Sequence, residues 1–322
     1  MHAYRAPAWL AGGNAQTLWT ALFARRWHGA APVYRRERWD APDGDFVDVD
    51  FQDCDGAGAP WLVLFHGLEG SSRSHYAQAF AHWARLNGWA YAVPHFRGCS
   101  GEINRAPRAY HSGDFEEIGW LLARLRRRAG RPLVAVGVSL GGNALLRWAE
   151  EAGATAAGIA RAVASVSAPL DLAASGRAIG RGFNRHVYTR AFLNTMRPKA
   201  LAKLAQFPGL FDGEALRQAR DLHRFDDLFT APLHGFRDAD DYWARASAKP
   251  RLADIRVPAL VINARNDPFI PAASLPRPGE VGRHVTLWQP AHGGHAGFPA
   301  GRPPGHALAL PEAVMGWVRT HA

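Results

Sequence analysis

The 322-residue chain has few cysteines and no long apolar run. Its two cysteines, Cys54 and Cys99, are expected to be free thiols in a reducing, cytoplasmic setting, and no signal-peptide pattern argues otherwise. The most apolar N-terminal window, residues 9–23, is interrupted by Gly, Asn, Gln and Thr, which excludes a transmembrane segment. Peripheral membrane contact stays open, because tryptophans and leucines in this window precede Arg25 and Arg26.

Acidic residues are also scarce relative to basic ones, with 28 Asp and Glu against 38 Lys and Arg. The resulting net charge of +10 would suit an anionic partner. However, the densest basic run, residues 124–128, lies where a helix should end, and the helix dipole favours cations there. Since no helix-turn-helix, RNA-binding or zinc signature accompanies this run, we expect no nucleic-acid partner.

Motifs for metals and nucleotide cofactors are missing as well. The 15 histidines form no HExxH pattern, and the cysteines show no paired spacing. The glycine-rich stretch 137–142 lacks the lysine of a phosphate-binding loop and does not match the dinucleotide pattern. We therefore expect neither a metal nor a cofactor.

Short apolar segments alternate with helical patterns along most of the chain. Their near-continuous apolar character is typical of parallel strands buried on both faces, so the pattern predicts an α/β fold. Two early segments alternate polar and apolar residues around the turn at Pro42, Asp43 and Gly44, which predicts an antiparallel hairpin with one solvent-exposed face. The predicted strands are 34–39, 46–51, 61–65, 89–94, 133–138, 162–166, 259–263 and 285–288.

Helical patterns separate these strands and fill one long interval. Each predicted helix either repeats apolar residues at helical spacing or directly follows a strand. The predicted helices are residues 74–86, 114–128, 140–151 and 311–320. From about residue 172 to residue 247 the strand pattern lapses into helical segments rich in Arg and aromatic residues. We interpret residues 1–322 as a single domain, with residues 172–247 inserted as a helical cap that shapes substrate access.

The sequence Gly-Val-Ser-Leu-Gly at residues 137–141 follows a predicted strand and precedes a predicted helix. Flanking glycines permit a tight strand-to-helix turn, which would raise the hydroxyl of Ser139 above the edge of the sheet. This context predicts a nucleophile rather than an ordinary glycine-rich turn.

A serine hydroxyl is a weak nucleophile, so it needs a base and a residue that orients the base. Asp267 follows the predicted strand 259–263, and His295 follows the strand 285–288, in the chain order serine, acid, histidine. His292 is an alternative base three residues away, and Asp171 is an alternative acid. We favour Ser139, Asp267 and His295 as a catalytic triad.

Acyl transfer also requires donors for the negative charge that develops on the carbonyl oxygen. The backbone N–H of Leu140, directly after Ser139, is the first candidate. The second should follow the strand 61–65, where the sequence is His-Gly-Leu-Glu-Gly, and Leu68 is the candidate donor.

The chain resembles the YheT-like α/β-hydrolases from Gln16-Thr17 to its C-terminal helix. The matching blocks, in order, are 66–72, 96–102, 110–113, 137–143, 266–269 and 292–298. The resemblance implies an α/β-hydrolase fold with an eight-stranded, mostly parallel sheet, and a serine esterase with its triad at Ser139, Asp267 and His295. Eukaryotic relatives in this family are linked to acylglycerols and phospholipids. Asn14 departs from the family pattern, which usually has a histidine at this position.

These observations predict a serine hydrolase that cleaves carboxylic esters through an acyl-serine intermediate. The expected partner is a small-molecule ester with a short to medium acyl chain, or an acylglycerol-like lipid. Two alternatives remain open. An acyltransferase would use the same triad with another attacking nucleophile, and a non-catalytic scaffold of this fold would bind anionic partners through its basic surface.

Overall fold

A computed structural model of the protein describes residues 4–54 and 58–321, so residues 1–3, 55–57 and 322 of the predicted domain lie outside the described part. An eight-stranded sheet with the order β1-β2-β4-β3-β5-β6-β7-β8 forms its centre. Strands β3 to β8 are parallel, whereas β2 is antiparallel to both β1 and β4. The predicted eight-stranded, mostly parallel sheet is therefore confirmed. The strands are β1 Arg35–Asp40, β2 Phe46–Gln52, β3 Trp61–Phe65, β4 Ala90–Pro94, β5 Leu133–Val138, β6 Ala160–Val166, β7 Ala259–Ile262 and β8 Val285–Trp288.

Helices flank the sheet and fill the interval between β6 and β7. Those outside this interval are α1 Gly13–Leu22, α2 His75–Leu86, α3 Phe115–Ala129, α4 Leu140–Ala152 and α12 Ala309–His321. Those within it are α5 Leu172–Ile179, α6 Gly182–Asn184, α7 Arg190–Gln206, α8 Gly213–Gln218, α9 Leu222–Phe225, α10 Ala231–Leu233 and α11 Ala239–Ala246. π-helical turns at Arg185–Thr189 and Asp226–Thr230 join α6 to α7 and α9 to α10.

The apolar core lies on both faces of the sheet, as strand β3 illustrates. Val63 and Phe65 belong to a buried cluster that includes residues of α3 and α4. Leu62 and Leu64 point the other way, into a cluster that includes residues of α2 and α12. Successive side chains of a strand point to opposite faces, so a strand covered on both sides must be apolar throughout.

The predicted solvent-exposed face of the β1–β2 hairpin is wrong for β2, because every residue of this strand is buried. Asp48 and Asp50 interrupt its apolar pattern. They face the arginines that pair with them in register, with 2.8 Å between Arg38 Nε and Asp48 Oδ1 and 2.7 Å between Arg36 Nε and Asp50 Oδ1. A buried carboxylate is tolerated when it is paired and hydrogen-bonded.

Within residues 4–54 and 58–321, no helix combines the length and the apolar character that crossing a membrane requires. Cys54 and Cys99 are both free thiols, as expected from the sequence.

Candidate active site

Ser139 occupies a strained turn between β5 and α4. Its backbone has φ 54° and ψ −121°, a left-handed conformation that is uncommon for a residue with a side chain. Two neighbouring glycines make the turn possible. A Cβ atom at Gly141 would lie 2.5 Å from the carbonyl oxygen of Phe65, and one at Gly137 would lie 2.3 Å from that of Gly141. The glycine spacing of the motif is therefore a steric requirement.

His295 lies between the two other predicted triad residues. Its Nε2 atom is 2.9 Å from Ser139 Oγ, and its Nδ1 atom is 2.9 Å from Asp267 Oδ2. The carboxyl group of Asp267 is inaccessible to solvent, and its Oδ1 atom accepts a 2.8 Å hydrogen bond from the N–H of Phe269. A carboxylate at Nδ1 favours the tautomer with its proton there, which leaves Nε2 free to accept the serine proton.

The structure does not bring the two alternative residues to Ser139. His292 is exposed, and its Nδ1 atom lies 3.5 Å from the side-chain nitrogen of Asn266. Asp171 caps the N-terminus of α5, where it accepts a 2.9 Å hydrogen bond from the N–H of Ala174.

Helix α1, which was not predicted from the sequence, supports the loops that carry Asp267 and His295. Thr17 Oγ1 accepts a 2.8 Å hydrogen bond from the N–H of His295. Gln16 Oε1 accepts from the N–H of Gly293 and from the side chain of Asn266, both at 2.9 Å. The helix is so close to the Asp267 loop that a Cβ atom at Gly13 would lie 1.8 Å from the carbonyl oxygen of Asn266.

Asn14, the departure from the family pattern, also has a defined contact. Its Oδ1 atom accepts a 2.9 Å hydrogen bond from the hydroxyl of Tyr188, in the segment between β6 and β7. The ring of Tyr188 packs edge-on against Phe269, which in turn lies 4.1 Å from His295 between ring centroids. Asn14 thus links α1 to the apolar surroundings of the histidine.

The loop after β3 presents one unused backbone donor near Ser139. The N–H of Gly67 donates to the hydroxyl of Tyr76, and that of Glu69 donates to the hydroxyl of Tyr110, both at 2.9 Å. Across the described part of the chain, the N–H of Leu68 between them donates to no protein acceptor. The loop lies against the turn at Ser139, since a Cβ atom at Gly67 would be 3.1 Å from Ser139 Cβ.

Leu140, the other predicted donor, is the first residue of α4. The first N–H groups of a helix have no partner within the helix, and that of Leu140 has none elsewhere among residues 4–54 and 58–321. Leu68 and Leu140 both line the cavity that contains Ser139 and His295. Among the described residues, the two predicted donors therefore have no protein acceptor, and they border the same space.

His66 holds the loop after β3 and lies outside the triad. Its Nε2 atom accepts a 3.1 Å hydrogen bond from the N–H of Phe96, so its Nδ1 atom carries the proton and donates to the carbonyl of Gly67 at 2.8 Å. Complete burial lowers the pKa of His66 to about 3, and the imidazole stays neutral at physiological pH. Its function in the motif is structural.

The site opens into a cleft of about 700 Å³ beneath the segment between β6 and β7. Its wall is mainly apolar, with a few polar side chains. A second cavity of about 600 Å³ adjoins it and shares Leu68, Leu140 and three other lining residues with it. The cleft is lined by Leu68, Ser112, Ser139, Leu140, Pro169, Leu172, Ser175, Gly176, Ile179, Phe192, Met196, Leu222, Asp226, Tyr242, Trp243, Phe269 and His295.

The large apolar residues of the segment 172–247 do not all face the cleft. Phe192 lines the cleft, whereas Leu193 is buried in a separate cluster within the segment. Phe183 faces solvent, with 54% of its surface exposed. These residues therefore differ in their surroundings, and only some of them can contact a substrate.

Comparison with known proteins assigns the family. The alpha/beta hydrolase fold family matches residues 60–301. The chain belongs to this family. It is 40% identical over 311 residues to the Escherichia coli protein named "Putative esterase YheT", with 95% of this chain and 90% of that protein covered. The resemblance to the YheT-like α/β-hydrolases is thereby confirmed.

More distant relatives share the fold over much of their length. Human phospholipase ABHD3 is 27% identical over 305 residues, covering 92% of this chain and 73% of that protein. The monoacylglycerol lipase of Saccharomyces cerevisiae is 28% identical, covering 82% of this chain and 59% of that protein. Among solved structures, the Pyrococcus furiosus esterase Pf2001 aligns with a TM-score of 0.56 at 15% identity, covering 92% of this chain and 96% of that one. At this identity the structural match supports the fold alone.

Proposed function

We propose that this α/β-hydrolase is a carboxylic ester hydrolase that works through an acyl-serine intermediate. Ser139 is the nucleophile, His295 is the general base and acid, and Asp267 orients the imidazole. The observation that carries the proposal is the continuous hydrogen-bonded chain Ser139–His295–Asp267, with 2.9 Å at each of its two steps.

In the first half of the reaction His295 Nε2 takes the proton of Ser139 Oγ as this oxygen attacks the ester carbonyl. The negative charge that forms on the carbonyl oxygen is stabilised by the N–H groups of Leu68 and Leu140. His295 then gives its proton to the departing alcohol, and the acyl group stays on Ser139. In the second half a water molecule repeats the sequence and releases the acid.

The segment 172–247 acts as a cap within a single catalytic domain. It contributes Leu172, Ile179, Phe192 and Met196 to the wall of the cleft, so a substrate must pass beneath it to reach Ser139. An apolar wall next to the nucleophile suits an acyl chain, because burying its methylene groups is favourable. The substrate class is thus a short- to medium-chain acyl ester or an acylglycerol-like lipid, in line with relatives named esterase, phospholipase and monoacylglycerol lipase.

The proposed setting is cytoplasmic, which the two free thiols support. Direct contact with a membrane surface would involve the end of α1, where Leu22 and Phe23 are exposed and Arg25 follows them.

Turnover of a graded series of p-nitrophenyl esters by the wild type and by Ser139→Ala tests the proposal. The wild type should hydrolyse these esters, and Ser139→Ala should lower kcat by roughly 10⁴-fold or more, because triad residues act as a unit. Activity of Ser139→Ala near that of the wild type would overturn the proposal. Product analysis in the presence of glycerol distinguishes hydrolysis, which releases the free acid, from transfer of the acyl group to the alcohol.

A further inference from the structure

The carboxylate of Glu69, next to the proposed oxyanion donor Leu68, is held from two directions. The hydroxyl of Tyr110 donates to its Oε1 atom at 2.8 Å, and Lys199 Nζ lies 2.8 Å from its Oε2 atom. Tyr110 precedes α3 in the chain, whereas Lys199 belongs to α7 in the cap. Only 9% of the Glu69 side chain is exposed, against 33% of the Lys199 side chain, so the carboxylate end of this ion pair is largely shielded from solvent. The pair therefore connects the cap to the loop after β3.

The backbone of Glu69 is fixed by the same hydroxyl group. Tyr110 Oη accepts a hydrogen bond from the N–H of Glu69 at 2.9 Å while it donates to the carboxylate of that residue. The ring of Tyr110 is itself stacked on Phe96, with 5.2 Å between centroids and 12° between planes. One rigid side chain thus holds both the main chain and the side chain of Glu69.

Glu69 needs such support because its φ is 56°, in the left-handed region. A non-glycine residue in a sparsely populated conformation persists only where its surroundings enforce it. The conformation of Glu69 determines the orientation of the peptide group before it. That peptide group contains the carbonyl of Leu68 and the N–H of Glu69, and the bond from the N–H of Gly67 to Tyr76 holds the residue on the other side of Leu68. Leu68 is therefore anchored from both sides, while its own N–H has no protein acceptor among the described residues.

We propose that Glu69, held by Tyr110 and by Lys199 of the cap, positions the N–H of Leu68 for the carbonyl oxygen of the substrate. Contact between α7 and Glu69 then sets how well the developing oxyanion is stabilised. Glu69, Tyr110 and Lys199 are positioning residues, because they act through the backbone of Leu68 rather than on the ester. This inference rests on the proposed function, since an oxyanion forms only if Ser139 attacks a carbonyl group.

The variant Lys199→Met tests the inference by removing the charge while keeping a side chain of similar length. A displaced donor weakens binding of the transition state and leaves binding of the ester unchanged. We therefore expect kcat to fall about tenfold with KM within about twofold of the wild type. Lys199→Arg keeps the ion pair and should restore kcat to within about threefold of the wild type.

Inhibitor binding provides a readout that a merely structural residue would not affect. An alkylboronic acid forms a tetrahedral, negatively charged adduct with the serine, whereas the matching carboxamide resembles the uncharged ester. In Lys199→Met the inhibition constant of the boronic acid should rise about tenfold, in parallel with the loss of kcat. The inhibition constant of the carboxamide should stay at the wild-type value.

A matched control removes another ion pair of the cap. Arg217 pairs with Glu214 on α8 at 3.1 Å, and both side chains are exposed. Arg217→Met should therefore leave kcat and both inhibition constants unchanged. If Lys199→Met fails to fold, Glu69→Gln, which nearly preserves the shape of the side chain, should give the same selective loss of kcat and of boronic acid affinity.

The outcomes separate this inference from the proposed function. Suppose that turnover of the wild type depends on Ser139, but that Lys199→Met and Glu69→Gln keep the wild-type kcat and the wild-type affinity for the boronic acid. This result would overturn the positioning inference alone. A rise in KM with unchanged kcat would also overturn it. Absence of Ser139-dependent turnover in the wild type would overturn both.

Discussion

Thr17 and His295 are joined by a hydrogen bond of 2.8 Å from the N–H of His295 to the threonine hydroxyl, although 278 positions separate them in the chain. The same hydroxyl donates to the carbonyl of Gly13 at 2.7 Å, which fixes its orientation. The first helix therefore sets the position of the proposed catalytic base. This relationship gives the Gln16-Thr17 part of the family resemblance a physical explanation.

Thr17→Val should lower kcat/KM by about 10- to 100-fold, because it removes the acceptor that holds the His295 loop and small displacements of a base are costly. The free energy of unfolding should fall by about 1–2 kcal/mol, since a partly buried N–H loses its partner. Steady-state kinetics and urea unfolding measure both effects.

Thr20→Val is the matched control for this substitution. Thr20 lies on the same helix, is buried and donates to the carbonyl of Gln16 at 2.6 Å, but it makes no hydrogen bond to the His295 loop within the described residues. Its kcat/KM should stay near that of the wild type. Equal losses of kcat/KM in Thr17→Val and Thr20→Val would contradict the proposed support of the base.

His295→Ala and His292→Ala should differ by orders of magnitude in turnover. His295 bonds both Ser139 and Asp267, so its removal should cost roughly 10⁴-fold or more in kcat. His292 is exposed, and its substitution should change kcat by less than about threefold. Comparable, mild losses in both variants would show that neither histidine is the base.

Asp45 should make the protein sensitive to acid. It is fully buried, which disfavours ionisation, but hydrogen bonds from Asn104 and from the backbone of Arg105 and Phe46 outweigh burial and lower its pKa from 3.8 to about 2. Arg97 contacts the same carboxylate at 2.7 Å. The pKa of Asp45 is lower in the folded state than in the unfolded state. The stabilisation that this carboxylate gives the folded protein is therefore complete above pH 3.8 and is lost as the pH falls toward 2. The amount is about 2 kcal/mol, at 1.4 kcal/mol per pKa unit.

Urea unfolding of the wild type and of Asp45→Asn between about pH 5 and about pH 2 measures this contribution. The wild type should lose about 2 kcal/mol more than the variant over this range. Parallel stability curves for the two proteins would mean that Asp45 has an ordinary pKa in the folded state.

Much of the sheet could be predicted because its central strands are buried on both faces and are therefore continuously apolar. The bounds of β3, β5 and β8 are the predicted ones, and the turn at Ser139 lies between β5 and α4 as its glycines require. Local sequence is sufficient for these elements, because the apolar run or glycine spacing that marks each one lies within a few residues.

Helix α1 could not be predicted in this way because its buried face is polar. Gln16, Thr17 and Thr20 are buried, whereas Leu22 and Phe23 near its end are 64% and 58% exposed. The hydrogen bonds that the side-chain oxygens of Gln16 and Thr17 accept come from loops near the other end of the chain. No local pattern reveals such partners, and the same limit applies to the tyrosines that hold the loop after β3 and to the buried carboxylates of β2.

Mapping the site of covalent modification by a fluorophosphonate tests the central claim most directly. Mass spectrometry of the folded wild type should find a single adduct, located on the peptide that contains Ser139, and Ser139→Ala should remain unlabelled. An unlabelled wild type, or an adduct at a different residue that persists in Ser139→Ala, would contradict the assignment of Ser139 as the nucleophile.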